Sequence, residues 1–232
     1  MTKRRASARA GVADAGAQGA AAGTPGGRGG GHAERALEEM LRRAGVEHVS
    51  VAAARPVIAP GGWNLRAVLH GERGGPDRTV SLKAFDYALY GPRVRVLVEV
   101  KGRKVSPGAL AAVARGRLES WATAEDVVSL ERWEALFGPG HAAAFVFVYW
   151  SDRAPAGPAA ADEGDGAGVL ALGGRWYAAR GVLLRDYTAL MKQRSPRWRT
   201  VDLPATDFAR VAVPLARLLE VAERLDPGQG AP

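Results

Sequence analysis

Asp86, Glu99 and Lys101 fall within Leu82 to Lys104, a stretch rich in apolar and β-branched residues. Two carboxylates and an ammonium suit cation-assisted hydrolysis. The acids offer oxygen ligands to a hard divalent ion, and the ammonium steadies charge that develops on a phosphate. Their meeting depends on the strands that carry them. Alternation on both sides of Gly91-Pro92 predicts two antiparallel strands joined by a two-residue turn. On the second arm Val94, Val96, Val98 and Val100 share one face, and Arg93, Arg95, Leu97, Glu99 and Lys101 share the other. With Tyr90 and Arg93 flanking the turn, Asp86 lies across from Leu97, on the face of its diagonal neighbour Glu99, with Cβ atoms roughly 7 Å apart. Unpaired charges in mid-sheet cost on the order of several kcal/mol, so these groups need partners, and one Mg²⁺ would satisfy both acids. The competing reading is an edge hairpin whose Glu99 and Lys101 form a surface ion pair worth about 0 to 1 kcal/mol. Asp86 on the same face weighs against it.

Upstream, Ala33, Leu37, Met40, Leu41 and Ala44 recur at helical spacing, and Gly45 ends the pattern. Glu34 sits at the edge of this apolar face, placed to look under the helix toward the hairpin. Glu38 projects further out, suited to a surface pair with Arg42 or Arg35 or to supporting the site from behind. His32, just before the helix, is open to a structural role, to plain exposure, or to a place beside a metal or phosphate.

Asp86 followed by Glu99-Val100-Lys101 resembles the signature of the PD-(D/E)xK nuclease superfamily, with Phe85 where Pro often stands. Within it the chain is similar to the HYExAFE family, whose helix motif reads His32-Ala33-Glu34-Arg35-Ala36-Leu37-Glu38 here, Ala33 replacing Tyr and Leu37 replacing Phe. Further matching segments are Phe85-Asp86-Tyr87, Glu99 to Arg103, Trp133 to Gly138 and Arg194 to Trp198, so the likeness spans about His32 to Leu219. It implies an α/β domain with a restriction-endonuclease-like core, a mixed central β-sheet between helices. The implied reaction is phosphodiester hydrolysis, in DNA before RNA, assisted by Mg²⁺ or Mn²⁺. Asp86, Glu99 and the Val100 carbonyl would hold the ion, Lys101 would orient water or stabilise charge, and Glu34 would bind a second metal or its water. Many relatives act as dimers, which makes a homodimer an expectation. The alternative is a nucleic-acid-binding domain of the same fold that no longer cuts.

The net charge of +8 and pI near 10.3 favour a polyanionic partner. Arg103 and Lys104 leave the hairpin beside the site. Lys192, Arg194, Arg197 and Arg199 surround Ser195-Pro196 and Trp198 and could clamp phosphates or form a solvated face. Arg115 and Arg117 are also available. With no cysteine, disulfides and thiolate metal sites are excluded. No run approaches a membrane span, and the Arg4-Arg5 start lacks the apolar core of an export signal, so the cytoplasm is expected.

Residues 1–31 are mostly Ala, Gly and Arg and predict a disordered basic tail, 32–226 one nuclease-like domain, and 227–232 a flexible end. The pattern also predicts strands at His48 to Ala54 and Trp63 to His70, a turn over Gly71 to Asp77, and a short helix or mobile loop from Pro107 to Leu118. Then come a capped helix within Trp121 to Phe137 and a covered central strand at Ala144 to Trp150. A surface loop over Asp152 to Gly168, a hairpin about Gly173-Gly174, a helix at Val182 to Lys192 and a last helix at Thr206 to Leu225 complete the reading.

Overall fold

The computed structural model describes residues 30–58, 66–69, 78–113, 118–155 and 168–225. Its elements, in chain order, are α1 (Gly30–Arg43), β1 (Glu47–Ser50), α2 (Val51–Ile58), β2 (Arg66–Leu69), β3 (Arg78–Ser81), β4 (Tyr87–Tyr90), β5 (Arg95–Lys104) and α3 (Pro107–Ala111). After these come β6 (Ala122–Thr123), α4 (Ala124–Phe137), β7 (His141–Ser151), β8 (Leu170–Leu172), β9 (Arg175–Leu183) and α5 (Leu184–Leu190). The chain closes with β10 (Lys192–Ser195), β11 (Thr200–Asp202), α6 (Ala205–Val211), a 3-10 turn (Leu215–Arg217) and α7 (Leu218–Leu225).

The valine alternation in β5 makes it the joint between two layers. Val96 and Val98 pack under Leu37, Met40 and Leu41 of α1 and Leu218 of α7, whereas Leu97 faces the layer built from Leu130 and Trp133 of α4 and Tyr187 of α5. The main sheet has the order β1-β4-β5-β7-β9-β8. β5 and β7 pair in parallel, and the other pairs are antiparallel. This is the expected mixed sheet between helices, and β7, buried on both faces from Ala143 to Tyr149, is its covered central strand. A second sheet, β10-β11-β6, stands beside it and joins it through α4.

The turn of the central hairpin differs from expectation. Tyr90 pairs with Arg95, and the Gly91 N–H donates to the Val94 carbonyl at 2.9 Å, so four residues make the connection. Tyr87 consequently pairs with Val98, and the ladder ends there: the Asp86 N–H also donates to the Val98 carbonyl, so Asp86 lies beyond the last pair rather than opposite Leu97. A shift of two residues preserves which face each side chain takes. The cause is local. A Cβ at Gly91 would lie 2.9 Å from both the Val94 carbonyl and Glu223 Oε1, and that same Glu223 oxygen accepts the Arg93 N–H at 3.1 Å. The wider turn is thus held from α7.

Three other elements part from the sequence reading. β1 stops at Ser50, whose hydroxyl accepts the Ala53 N–H at 3.3 Å, and the alanine-rich segment that follows is helical. The helix expected at Val182 starts only at Leu184, because Val182 and Leu183 continue β9 against Phe145 and Ala144, and it ends at Leu190, with Lys192 opening β10. The last helix is divided: Pro214 cannot donate a backbone hydrogen bond, and Val213 instead exchanges two 2.9 Å backbone bonds with Gly181. The cap of α4 is as expected, with the Thr123 hydroxyl accepting the Asp126 N–H at 3.1 Å and the Asp126 carboxylate accepting the Thr123 N–H at 3.0 Å. The Gly173-Gly174 hairpin also forms, both residues at positive φ. The tail over 1–29, the Gly71 to Asp77 turn, Arg115, Arg117, most of the Asp152 to Gly168 loop and the end over 226–232 lie outside the described residues. Among those described, no helix is long and apolar enough to cross a membrane.

Candidate functional site

β4 ends at Tyr87, and one residue earlier the side chain of Asp86 takes over a backbone role: its Oδ2 accepts the Val100 N–H at 2.7 Å. The N–H and C=O of one extended residue point to the same side of a strand, so the Val100 carbonyl is directed to the same edge as Asp86. There the sheet forks. Asp86 turns outward, with its own N–H on the Val98 carbonyl at 2.8 Å and its carbonyl accepting from Val51 at 2.9 Å.

Glu99 and Lys101 occupy the face of β5 shared with Leu97. Lys101 Nζ lies 2.7 Å from Glu99 Oε1 and 2.8 Å from Asp126 Oδ2, with only 15% of either the Lys101 or the Glu99 side chain exposed. Asp126 is buried and also receives Lys83, at 3.1 Å. Lys83 in turn reaches Glu125 at 3.3 Å. The result is a half-buried run of alternating charge, Glu99, Lys101, Asp126, Lys83, Glu125, laid from β5 to the first turn of α4.

Burial pushes the Asp86 carboxyl up to about 7, and the neighbouring Glu99 and Glu34 charges add to the shift while the Val100 N–H and Lys101 oppose it. Burial raises Glu99 as well, against the pull of Lys101. Asp126 goes the other way. Its burial would raise it, but Lys101 and the Thr123 hydrogen bonds outweigh that and hold it at about 2. Burial thus dominates at Asp86 and Glu99, and the lysine and the cap dominate at Asp126.

The donor set offered to a cation consists of the Asp86 and Glu99 carboxylates and the Val100 carbonyl, all hard oxygens. It suits an ion of the Mg²⁺ kind, which takes few protein ligands and keeps water or substrate oxygens. No group of three or more acidic, histidine or cysteine side chains that could cage a metal occurs among the described residues.

Of the α1 residues, Glu34 is half-buried at the helix end over β4, its carbonyl accepting the Tyr87 hydroxyl at 3.2 Å and its charge acting on Asp86. Glu38 is exposed. Its expected partners are engaged elsewhere, Arg42 with Glu39 and Arg35 with the Gly31 carbonyl at 3.0 Å. His32 belongs to a different cluster, with Nδ1 3.2 Å from the Tyr177 hydroxyl and its ring edge-on to Trp150 at 4.6 Å. Burial, followed by the charges of Arg175 and Arg35, lowers its pKa.

The expected phosphate contacts divide. Arg103 is half-buried, stacked 3.7 Å over Trp121 and donating to the Trp121 and Gly102 carbonyls. Lys104 is exposed but paired with Asp152. Arg194 meets Glu119 at 3.1 Å and Asp202 at 3.7 Å. Lys192, Arg197 and Arg199 are exposed on the β10–β11 hairpin. The residues that sequence reasoning missed are Asp126 and Lys83. The capping pattern identifies Asp126 locally, but its contact with Lys101 spans separate elements and leaves no trace in spacing.

No family model matches the chain, and no curated protein is matched by it. Among solved structures it is similar to Archaeoglobus fulgidus Hjc, a Holliday junction resolvase from an archaeal hyperthermophile, at 15% identity and a TM-score of 0.43, over 82% of this chain and 95% of that one.

Proposed function

We propose that the protein is a divalent-cation-dependent nuclease of PD-(D/E)xK type that hydrolyses phosphodiester bonds, in DNA before RNA. The observation that supports this reading is the fork at Asp86, where the half-buried Asp86 carboxylate accepts the Val100 N–H at 2.7 Å while Glu99, one residue back on the same strand, meets Lys101 at 2.7 Å. Asp86, Glu99 and the Val100 carbonyl would hold Mg²⁺ or Mn²⁺. When bound, the ion supplies Lewis acidity at the phosphate and lowers the pKa of the attacking water.

The chain's own groups then have separate tasks. Asp86 keeps the end of β4 fixed to β5 through the Val100 N–H, so the two acids stay in register without a conformational step. Lys101, held between Glu99 and Asp126, presents an ammonium that orients water or donates to a phosphate oxygen. Glu34 enters from α1 as the acid nearest Asp86 in the helix motif, and His32 and Glu38 stand outside the reacting groups. The finer assignment to HYExAFE proteins rests on the α1 motif and the segments quoted above, and a homodimer follows from that likeness alone.

The test is incubation of the full chain with supercoiled, nicked, single-stranded and four-way-junction DNA and with RNA, in Mg²⁺, Mn²⁺ or EDTA. Cation-dependent cleavage is expected. Binding without cleavage in either cation would establish the second reading, a domain that binds but does not cut, which the double engagement of Lys101 by Glu99 and Asp126 favours.

A further inference from the structure

Trp198 is 69% exposed, an unusual position for the largest apolar side chain, and it sits at the tip of a strongly cationic hairpin. Its setting is rigid. The Trp198 N–H donates to the Ser195 hydroxyl at 3.3 Å, the Arg199 N–H to the Pro196 carbonyl at 3.3 Å, and Arg199 takes a positive φ of 48° to close the turn. The Arg197 guanidinium lies 5.2 Å from the ring centre, giving the indole one cation-backed face. Between Lys192 and Asp202 the hairpin carries Lys192, Arg194, Arg197 and Arg199 against Asp202 alone, a surplus suited to a polyanion.

The hairpin is also wired to the candidate site. Thr200 pairs with Thr123, and the Arg199 carbonyl accepts the Ala124 N–H at 2.8 Å. Thr123 is capped by the same Asp126 carboxylate that holds Lys101. A ligand seated on the tip is thus registered, through β11, β6 and the start of α4, against the lysine of the fork.

Resting on the nuclease reading, we infer that Trp198 is a stacking platform for an unpaired base, and that the substrates this protein prefers contain single-stranded or branched segments. The reasoning is steric. Inside a duplex each base face is covered by the next base pair, so an indole finds no free π-face. An unpaired base offers one, while its phosphates meet Lys192, Arg197 and Arg199. Cations without an exposed ring would bind duplex and single strand through charge alone.

The experiment measures the affinity of the full chain in EDTA for labelled oligodeoxythymidylate and for a blunt duplex of equal length, with Trp198→Ala and Trp198→Phe beside the wild type. Circular dichroism checks folding, and sedimentation follows the oligomeric state. Trp198→Ala is expected to weaken oligodeoxythymidylate binding about 5- to 100-fold, with duplex binding nearly unchanged, and Trp198→Phe to retain most of the affinity. Equal losses on both ligands, or none on either, would overturn the inference while leaving the nuclease reading intact. A wild type that binds neither oligonucleotide overturns both. A change in oligomeric state on Trp198→Ala would assign the indole to a contact between copies of the chain and likewise overturn the inference.

Discussion

Two arginines of this protein lie against tryptophans and have opposite fates. Arg103 stacks 3.7 Å over Trp121, is half-buried, and gives its donors to backbone carbonyls, whereas Arg197 lies 5.2 Å from Trp198 with both side chains open to solvent. The residue types are the same, so composition does not separate them. Surroundings do. Arg103 leaves β5 toward Trp121, near Tyr149 and Tyr187, and burial lowers its pKa; Arg197 leaves an exposed turn. One pair is tied into the fold, and the other stands in solvent.

The sharpest way to break this contrast between buried and open charge lies at Lys101. Lys101→Ala should lower cleavage at least ~100-fold, the loss of one transition-state donor, with binding in EDTA unchanged. An equal loss of affinity would make Lys101 a binding cation like those of the β10–β11 hairpin. Next in size, Arg103→Ala should cost about 1 to 3 kcal/mol in urea unfolding, because it removes the stack on Trp121 and the hydrogen bond to the part-buried Trp121 carbonyl. Arg197→Ala should stay within about 0.5 kcal/mol of the wild type, yet flatten the slope of log affinity against log salt by about 0.9 on duplex DNA. A destabilised Arg197→Ala would erase the distinction.

A further prediction concerns pH. The Asp86 carboxyl is raised from an unfolded value of about 4 to about 7 in the fold. Its contribution is therefore fully present below about pH 4 and is lost as pH rises through about 7, where ionisation in a buried, acid-rich place penalises the folded state. Asp126 has the opposite sign: held at about 2, it stabilises above about pH 4 and loses that contribution only as pH falls through about 2. The wild type minus Asp86→Asn difference in Tm should therefore become more unfavourable to the wild type from pH 4 to pH 8. Mg²⁺ or Mn²⁺ at pH 8 should raise the Tm of the wild type and not that of Asp86→Asn. A Tm difference independent of pH would show that Asp86 ionises freely.

Much of this arrangement was legible in the residues themselves. The period-two valines of β5, the Thr123 to Asp126 capping box and the Gly173-Gly174 turn are local patterns, and local patterns dictate local structure. The faces of the paired residues from Tyr87 to Tyr90 were legible because parity survives a two-residue error in register. The register itself was not, since the turn is widened by Glu223, more than a hundred residues away. Distance in the chain also hid the second engagement of Lys101 by Asp126 and the stacking of Arg103 on Trp121. The interruption at Pro214 carries a plain signal, a proline within an apolar helical period, and the amphipathic spacing on both sides obscured it.

The fork at Asp86 gives the molecule a built-in reporter. In a regular ladder the Val100 amide proton would be shared with a backbone carbonyl, whose basicity does not change between pH 5 and 9. Here it is shared with a carboxylate oxygen. The strength of that one hydrogen bond therefore follows the charge state of Asp86, and with it the chemical shift and solvent exchange of a single amide near the middle of β5. The site announces its own ionisation in the backbone, before any substrate arrives.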